Sequence, residues 1–275
     1  MGMQSASTTR VTRRARRASR SPAAHVLARA GLTARGLLYV LIGWVALLVA
    51  LGRTSREADQ QGALQMLAGK PYGLVSLWLL GIGLAAYALW RLSEAVFGVT
   101  AEPPGAGPRL KCLGRAVIYA GFAALTFRVI SGTRGSQSRQ QQDVTATAMR
   151  HPDGRWLVGI AGVIIVLIGL ALVIQGARRT FMKYLRTSQL TRRTRRAVEI
   201  LGMIGTIARG VVFAVAGALV ADAAITHNPS KSGGIDKALL TLRDQPFGEI
   251  LMVLTAIGLA IFGVYGLCEA RWRKV

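Results

Sequence analysis

Acidic side chains are scarce in this chain: 12 Asp and Glu stand against 35 Lys and Arg, a net charge of +23 over 275 residues. Cysteine is scarcer still, with only Cys112 and Cys268, both near predicted helix ends. Two thiols make neither a disulfide framework nor a cysteine-rich metal site. His25, His151 and His227 are scattered, without metal-ligand spacing. No phosphate-binding Gly-rich loop, no Gly-x-Ser-x-Gly turn and no paired carboxylates within one apolar run are present. Enzyme chemistry therefore has no visible constellation, and no catalytic residue, cofactor or metal is expected.

Charge is also missing from long stretches. Residues 36–52, GLLYVLIGWVALLVALG, carry none. A bilayer core about 30 Å thick takes about 20 apolar residues in a helix. Arg35 sits at the edge of the run, where its guanidinium can snorkel to the headgroups. Such runs recur too often for one soluble core to enclose them, and hydrophobic residues make up 52% of the chain, with mean hydropathy +0.39. The basic residues lie between the runs. The sequence pI near 11.6 is thus the loop charge of a membrane protein and not a nucleic-acid surface.

What is there is a repeat. The opening small-Arg-small-aliphatic-aliphatic-aromatic occurs at Ala34 to Tyr39, at Gly114 to Tyr119 and at Ala208 to Phe213. Arg35, Arg115 and Arg209 are 80 and 94 residues apart; Gly73, Gly154 and Gly248 are 81 and 94 apart. Each glycine follows a proline by two, giving turns at Pro71/Gly73, Pro152/Gly154 and Pro246/Gly248. Twenty-one residues beyond each glycine stand Glu94, Gln175 and Glu269. Each copy reads as helix, polar loop with a short amphipathic helix, Pro-x-Gly turn, helix.

The expected fold is all-α, a polytopic membrane helix bundle. It has six transmembrane helices as three two-helix repeats around a pseudo-threefold axis, with short amphipathic helices in the outer loops. Residues 1–24, rich in Arg and Ser, read as a disordered basic tail. Residues 25–100 form the first repeat, 101–111 a linker, 112–177 the second repeat, 178–197 a basic linker and 198–275 the third. The paired arginines of the tail do not mark an export signal, because the run after them belongs to the repeat set. Lys and Arg are densest in the tail, the 178–196 segment and the C-terminal end, which puts both termini on the cytoplasmic side of the plasma membrane.

The tracts ARAGLTARGLLYVLIGWVALLVALG and GALQMLAGKPYGLVSLWLLGIGLAAYALWRLSEA resemble the domain of unknown function 1206 family, across roughly residues 25 to 274. The Arg-Gly-x-x-Tyr opening, the Pro-aromatic-Gly turn and the terminal Glu-Ala carry the likeness. It implies a small bacterial membrane protein of three two-helix repeats. The second repeat departs most, with Pro152-Asp153-Gly154 and with Gln175 in place of glutamate.

Three groups of residues are candidates for a role. Arg128 and Asp222 occupy one repeat position, where the first repeat has Leu48, and are expected to form an intramembrane ion pair near the outer end. Arg35, Arg115 and Arg209, with Glu94 and Glu269, are expected to meet at the cytoplasmic interface, arginine and glutamate of one hairpin pairing. Gly36 and Gly43, Ala116 and Ala123, and Gly210 and Gly217 lie seven apart, a spacing for close helix packing. Trp44, Trp78, Trp90, Trp156 and Trp272 mostly suit interfaces or lipid-facing positions.

Two classes of function fit. One is a non-enzymatic structural or interaction component of the membrane, with a membrane-protein partner of unknown identity. The alternative is a small transporter or channel along the bundle axis, or a protein that binds anionic lipid at its basic inner rim. The first is the expected reading, with the lipid bilayer as partner.

Overall fold

The structure is a computed structural model that describes residues 22–97, 105–133, 135–151 and 153–273. The expected basic tail, residues 1–24, lies almost wholly outside the described residues, as does Pro152. Among the described residues, six helices are long and apolar enough to cross a membrane: α1 (Pro22–Ala50), α3 (Gly73–Phe97), α4 (Ala106–Ile130), α6 (Gly154–Ala177), α7 (Arg192–Ile225) and α9 (Gly248–Trp272). Three short helices join them as the loops require: α2 (Gln60–Ala68), α5 (Gln137–Met149) and α8 (Ile235–Arg243). At 1.5 Å per residue, even the 24 residues of α6 reach about 36 Å, enough for the hydrocarbon core. Two helices start earlier than their apolar runs: α4 takes in half of the expected 101–111 linker, and α7 begins within the basic one.

The chain halts in the same way in each repeat. Gly52 and Gly132 adopt left-handed backbone at φ +66° and +81°. The amides of Arg53 and Thr133 then reach back to the carbonyls of Leu48 and Arg128, a helix stop that needs a residue tolerant of positive φ. The third repeat stops one residue later, with His227 at φ 53° and Asn228 N–H bonded to the Ala223 carbonyl. The return turns are equally determined. A Cβ on Gly73, Gly154 or Gly248 would lie 2.1, 1.7 or 1.8 Å from the carbonyl oxygen of Leu67, Ala148 or Arg243. Only glycine lets the next long helix start so close beneath the short one.

The long helices pack mainly between repeats. The second helix of each unit lies on the first helix of the next: α3 on α4, α6 on α7, and α9 back on α1. The small residues marked by their spacing lie at these seams. A Cβ on Gly36 would meet the Gly263 carbonyl at 2.8 Å, and one on Gly43 the Ala260 amide at 2.5 Å. Gly210 faces Gly169 and Gly217 faces Val166 and Gly162 across the α6/α7 seam. Ala116 and Ala123 are buried on α4.

Within the first and third repeats the hairpin helices also pack, α1 on α3 and α7 on α9. Gly31 sits against Tyr87 and Gly83 against Ala34; at the matching positions Gly205 sits against Phe262 and Gly258 against Ala208. The second repeat has Lys111 and Ile164 where the others have these glycines. Its helices α4 and α6 make no comparable contact, and nothing lies within 4 Å of a Cβ built on Gly114 or Gly121. The pseudo-threefold ring is therefore open between α4 and α6. Helix α6 touches the bundle along its glycine edge and leaves Trp156, Leu157, Ile160, Ile164, Leu167 and Ile168 exposed. An apolar surface of that extent belongs in lipid.

Trp44, Trp78 and Trp156 are exposed, as lipid-facing tryptophans should be. Trp90 is not: it is 4% exposed, with the Arg91 guanidinium 4.3 Å from its ring centre.

Candidate functional site: an arginine cluster at the terminal end

The end of the bundle where α1 begins and α9 ends holds a buried cluster of charged side chains. The repeat places an arginine there and an aromatic four residues later on the same helix face: Arg35 and Tyr39, Arg115 and Tyr119, Arg209 and Phe213. Glu269 and Glu94 arrive at the same level from α9 and α3.

Arg35 Nη2 donates to Glu269 Oε2 at 2.5 Å, and its Nη1 to the Tyr87 hydroxyl at 3.3 Å. Arg273 binds the other Glu269 oxygen. Arg91 donates to Glu94 Oε2 at 2.5 Å and sends two further N–H groups to the Tyr87 hydroxyl, at 3.0 and 2.8 Å. The Cys112 thiol donates to the same Glu94 oxygen at 3.6 Å. Arg35, Arg91, Glu94, Glu269 and Arg273 are all at most 9% exposed. These are buried, hydrogen-bonded ion pairs, the kind whose disruption leaves an uncompensated charge.

The pairing differs from expectation in one respect. No arginine of the triplet meets the glutamate of its own hairpin; Arg35 of the first repeat pairs with Glu269 of the third. The cause is the packing, since α9 lies on α1 across the seam and brings its final turn beside Arg35. Glu94 is taken by Arg91 and not by Arg115.

Among the described residues, two arginines of the triplet have no carboxylate partner. Arg209 lies over the rings of Tyr39, Phe213 and Phe262, at 5.3, 5.1 and 5.0 Å. Its Nε is buried and has no hydrogen-bond partner. The repeat would give it a glutamate at position 175, where this chain has Gln175. Arg115 is exposed, yet lies within electrostatic reach of Arg91, Arg209 and Arg273 from other helices. Five guanidinium groups thus share two carboxylates. Guanidinium does not deprotonate at any working pH, so the cluster carries a fixed excess of positive charge.

Nearby, a cavity of about 370 Å³ is lined by Arg179, Arg192, Arg195 and Arg196, with Glu199 as its one acid. Arg179 pairs with Glu199 at 2.5 Å.

Arg128 and Asp222 do not pair. Asp222 Oδ2 lies 2.8 Å from Lys231 Nζ, both side chains well exposed, and Arg128 lines a separate cavity with Gln61, Arg139 and Asp143. Helices α4 and α7 are not neighbours in the ring, so a shared repeat position does not put these residues in contact.

The opposite end carries a knot of acids that joins the three short helices. Glu57 accepts from Ser136 Oγ and from Gln137 N–H at the start of α5. Ala58 N–H donates to Asp236 Oδ1 of α8 at 2.7 Å. Asp59 caps α2 through Gly62 N–H at 2.9 Å, leaving its buried Oδ2 without a partner. Burial, with Glu57 and Asp236 close by, pushes the Asp59 carboxyl up to about 7 despite the Gly62 bond. Burial raises Asp236 as well.

Sequence reasoning does not single out Tyr87, Arg91 or Arg273. Tyr87 is matched by Ile168 and Phe262, which lack its hydroxyl, Arg91 is matched by Leu172 and Gly266, and Arg273 follows the last apolar run, where a basic residue is ordinary. The available signal was an ionisable residue, Arg91, near the end of a membrane span and four residues after a tyrosine.

Comparison with known proteins agrees with the repeat geometry. The family described as Domain of Unknown Function (DUF1206) matches residues 30–98, 110–179 and 204–273, one match for each helical hairpin. A relative described as Uncharacterized protein YxxB, from Bacillus subtilis (strain 168), is 30% identical over 254 residues, 90% of each chain. No solved structure matches. With three matches in register with its three hairpins, this chain belongs to the DUF1206 family.

Proposed function

We propose that the protein is a non-enzymatic component of the bacterial plasma membrane that binds anionic lipid headgroups at its cytoplasmic side. The observation that carries this reading is Arg115 and Arg209 standing at the terminal end with no carboxylate beside them. A cation kept without a counter-ion in a partly dry setting is costly unless an anion completes it. The four-arginine cavity around Glu199 adds a second attraction further out at the same end. Lys and Arg bias favours the cytoplasm for that end, where anionic lipid is abundant. Tyr39, Tyr87, Tyr119 and Phe262 are buried in the middle of the ring, which favours binding over conduction along the axis.

The test is lipid selectivity. Purified protein, reconstituted in nanodiscs of phosphatidylcholine with or without phosphatidylglycerol, is to be examined by native mass spectrometry and by thermal melting. Retained phosphatidylglycerol and a higher melting temperature are expected, both reduced by Arg115→Gln with Arg209→Gln. Equal retention of the two lipids ends the reading, and an ion leak from liposomes would replace it with a channel.

A further inference from the structure

We infer that the opening between α4 and α6 is a lateral lipid site, in which an anionic phospholipid lays an acyl chain between the two helices and sets its phosphate on Arg115. This rests on the lipid-binding reading above and gives it a place and a geometry.

The walls of the opening follow from the repeat. Tyr87 and Phe262 fill the space inside the first and third hairpins, against Gly31 and Gly205. Their counterpart is Ile168, whose opposing residue is Lys111. Gly83 and Gly258 let the helices touch at Ala34 and Ala208, but the counterpart pair is Ile164 and Gly114. Ile164 is 50% exposed and Ile168 46%, and Gly114 and Gly121, on one face of α4, have no neighbour within 4 Å. Exposed Ile118 lies on that face as well. These uncovered surfaces are the walls of the proposed slot: Gly114, Ile118 and Gly121 on α4, Ile164 opposite Gly114, and Ile168 one turn nearer the terminal end, opposite Lys111.

The slot has a charged end. Arg115 follows Gly114 directly and is exposed, while its field reaches Arg91, Arg209 and Arg273 in the ring. Lys111 and Arg109 lie one and two turns further out on α4, and both are exposed. Among the described residues no acid offsets Arg115, since Glu94 is bonded to Arg91 and Cys112. An apolar slot ending in guanidinium matches an acyl chain ending in phosphate. A second copy of this chain would present the same cationic end to Arg115 and be repelled by it.

The experiment uses the full chain in nanodiscs with a phosphatidylglycerol that carries a photoreactive diazirine in its acyl chain, adducts being mapped by mass spectrometry. Adducts should gather on Ile118, Gly121 and Ile164. Arg115→Gln should lower them about tenfold, the worth of one strong charge-assisted contact, while Arg115→Lys keeps most. Excess inorganic phosphate should not compete. Gly121→Leu, which meets open space and should fold normally, should remove the slot adducts while native mass spectrometry still finds phosphatidylglycerol on the rest of the protein. Adducts spread evenly over other lipid-facing residues such as Leu79 and Leu254, equal labelling by a phosphatidylcholine probe, or displacement by phosphate would each overturn the slot. So would an Ile164→Cys protein that cross-links into dimers. If phosphatidylglycerol is retained and only slot labelling is missing, this inference fails alone. If no phosphatidylglycerol is retained at all, the broader reading fails with it.

Discussion

Arg35 and Glu269, 234 residues apart, form a buried ion pair at 2.5 Å that joins the first transmembrane helix to the last. Glu269 also holds Arg273, so one carboxylate serves two guanidinium groups. Replacing it by Glu269→Gln leaves both cations buried without a counter-charge. A loss of about 3–5 kcal/mol is expected. Glu94→Gln should cost less, since Arg91 keeps the Tyr87 hydroxyl. Thermal melting of both variants in one detergent checks the order, and equal melting temperatures would contradict it.

Glycine seams should be intolerant and the open face tolerant. A leucine at Gly43 would drive into the backbone of Ala260, whereas one at Gly121 meets nothing. Gly43→Leu should lose several kcal/mol through overpacking or fail to fold, and Gly121→Leu should change stability by less than about 1 kcal/mol. Size-exclusion profiles and melting curves report the difference.

The acid knot should make stability depend on pH. Asp59 holds its proton up to about pH 7 in the fold, but an unfolded aspartate releases it near pH 4. Between these values the folded state binds the extra proton, so stability falls as pH rises from about 4 to about 7 and levels off above. Each pH step of one across that window removes about 1.4 kcal/mol at most, and residual solvent access lowers the loss. Asp59→Asn should flatten the profile. Melting temperatures between pH 4.5 and 8 would show a falling curve in the parent and a flatter one in the variant; a parent curve that rises would refute the assignment.

Asp222→Asn should be nearly silent. Its pair with Lys231 is exposed on both sides, and such pairs are worth about 0–1 kcal/mol. A loss of several kcal/mol would mean that Asp222 has a buried partner after all.

The repeat register was legible because it is written in backbone-demanding residues. A Cβ on Gly73, Gly154 or Gly248 would lie within 2.1 Å of a carbonyl oxygen, so these glycines stay fixed and can be counted. The six spans were legible for a related reason, since lipid imposes length and hydropathy on each helix separately. Partner choice was harder. Whether Arg35 meets the carboxylate of its own hairpin or of another depends on which helices are neighbours, and hydropathy is blind to that. The Arg128 and Asp222 pair failed for the same cause. The opening in the second repeat did leave a mark, Lys111 and Ile164 at positions that are glycine in both other copies. Reading it required knowing that those glycines face the sister helix. The Tyr87 hydroxyl and Arg91 stayed hidden because neither recurs in the other copies.

The α9-on-α1 seam has a bearing on how the molecule is born. Helix α1 leaves the ribosome well before α9, yet its main docking surface, Gly36 and Gly43, is shaped for α9. Until α9 has been made, that surface must wait in the bilayer half covered, and Arg35 must wait for its counter-ion. A chain stopped before the final hairpin should therefore be a target for quality-control proteases, however well its earlier segments have inserted.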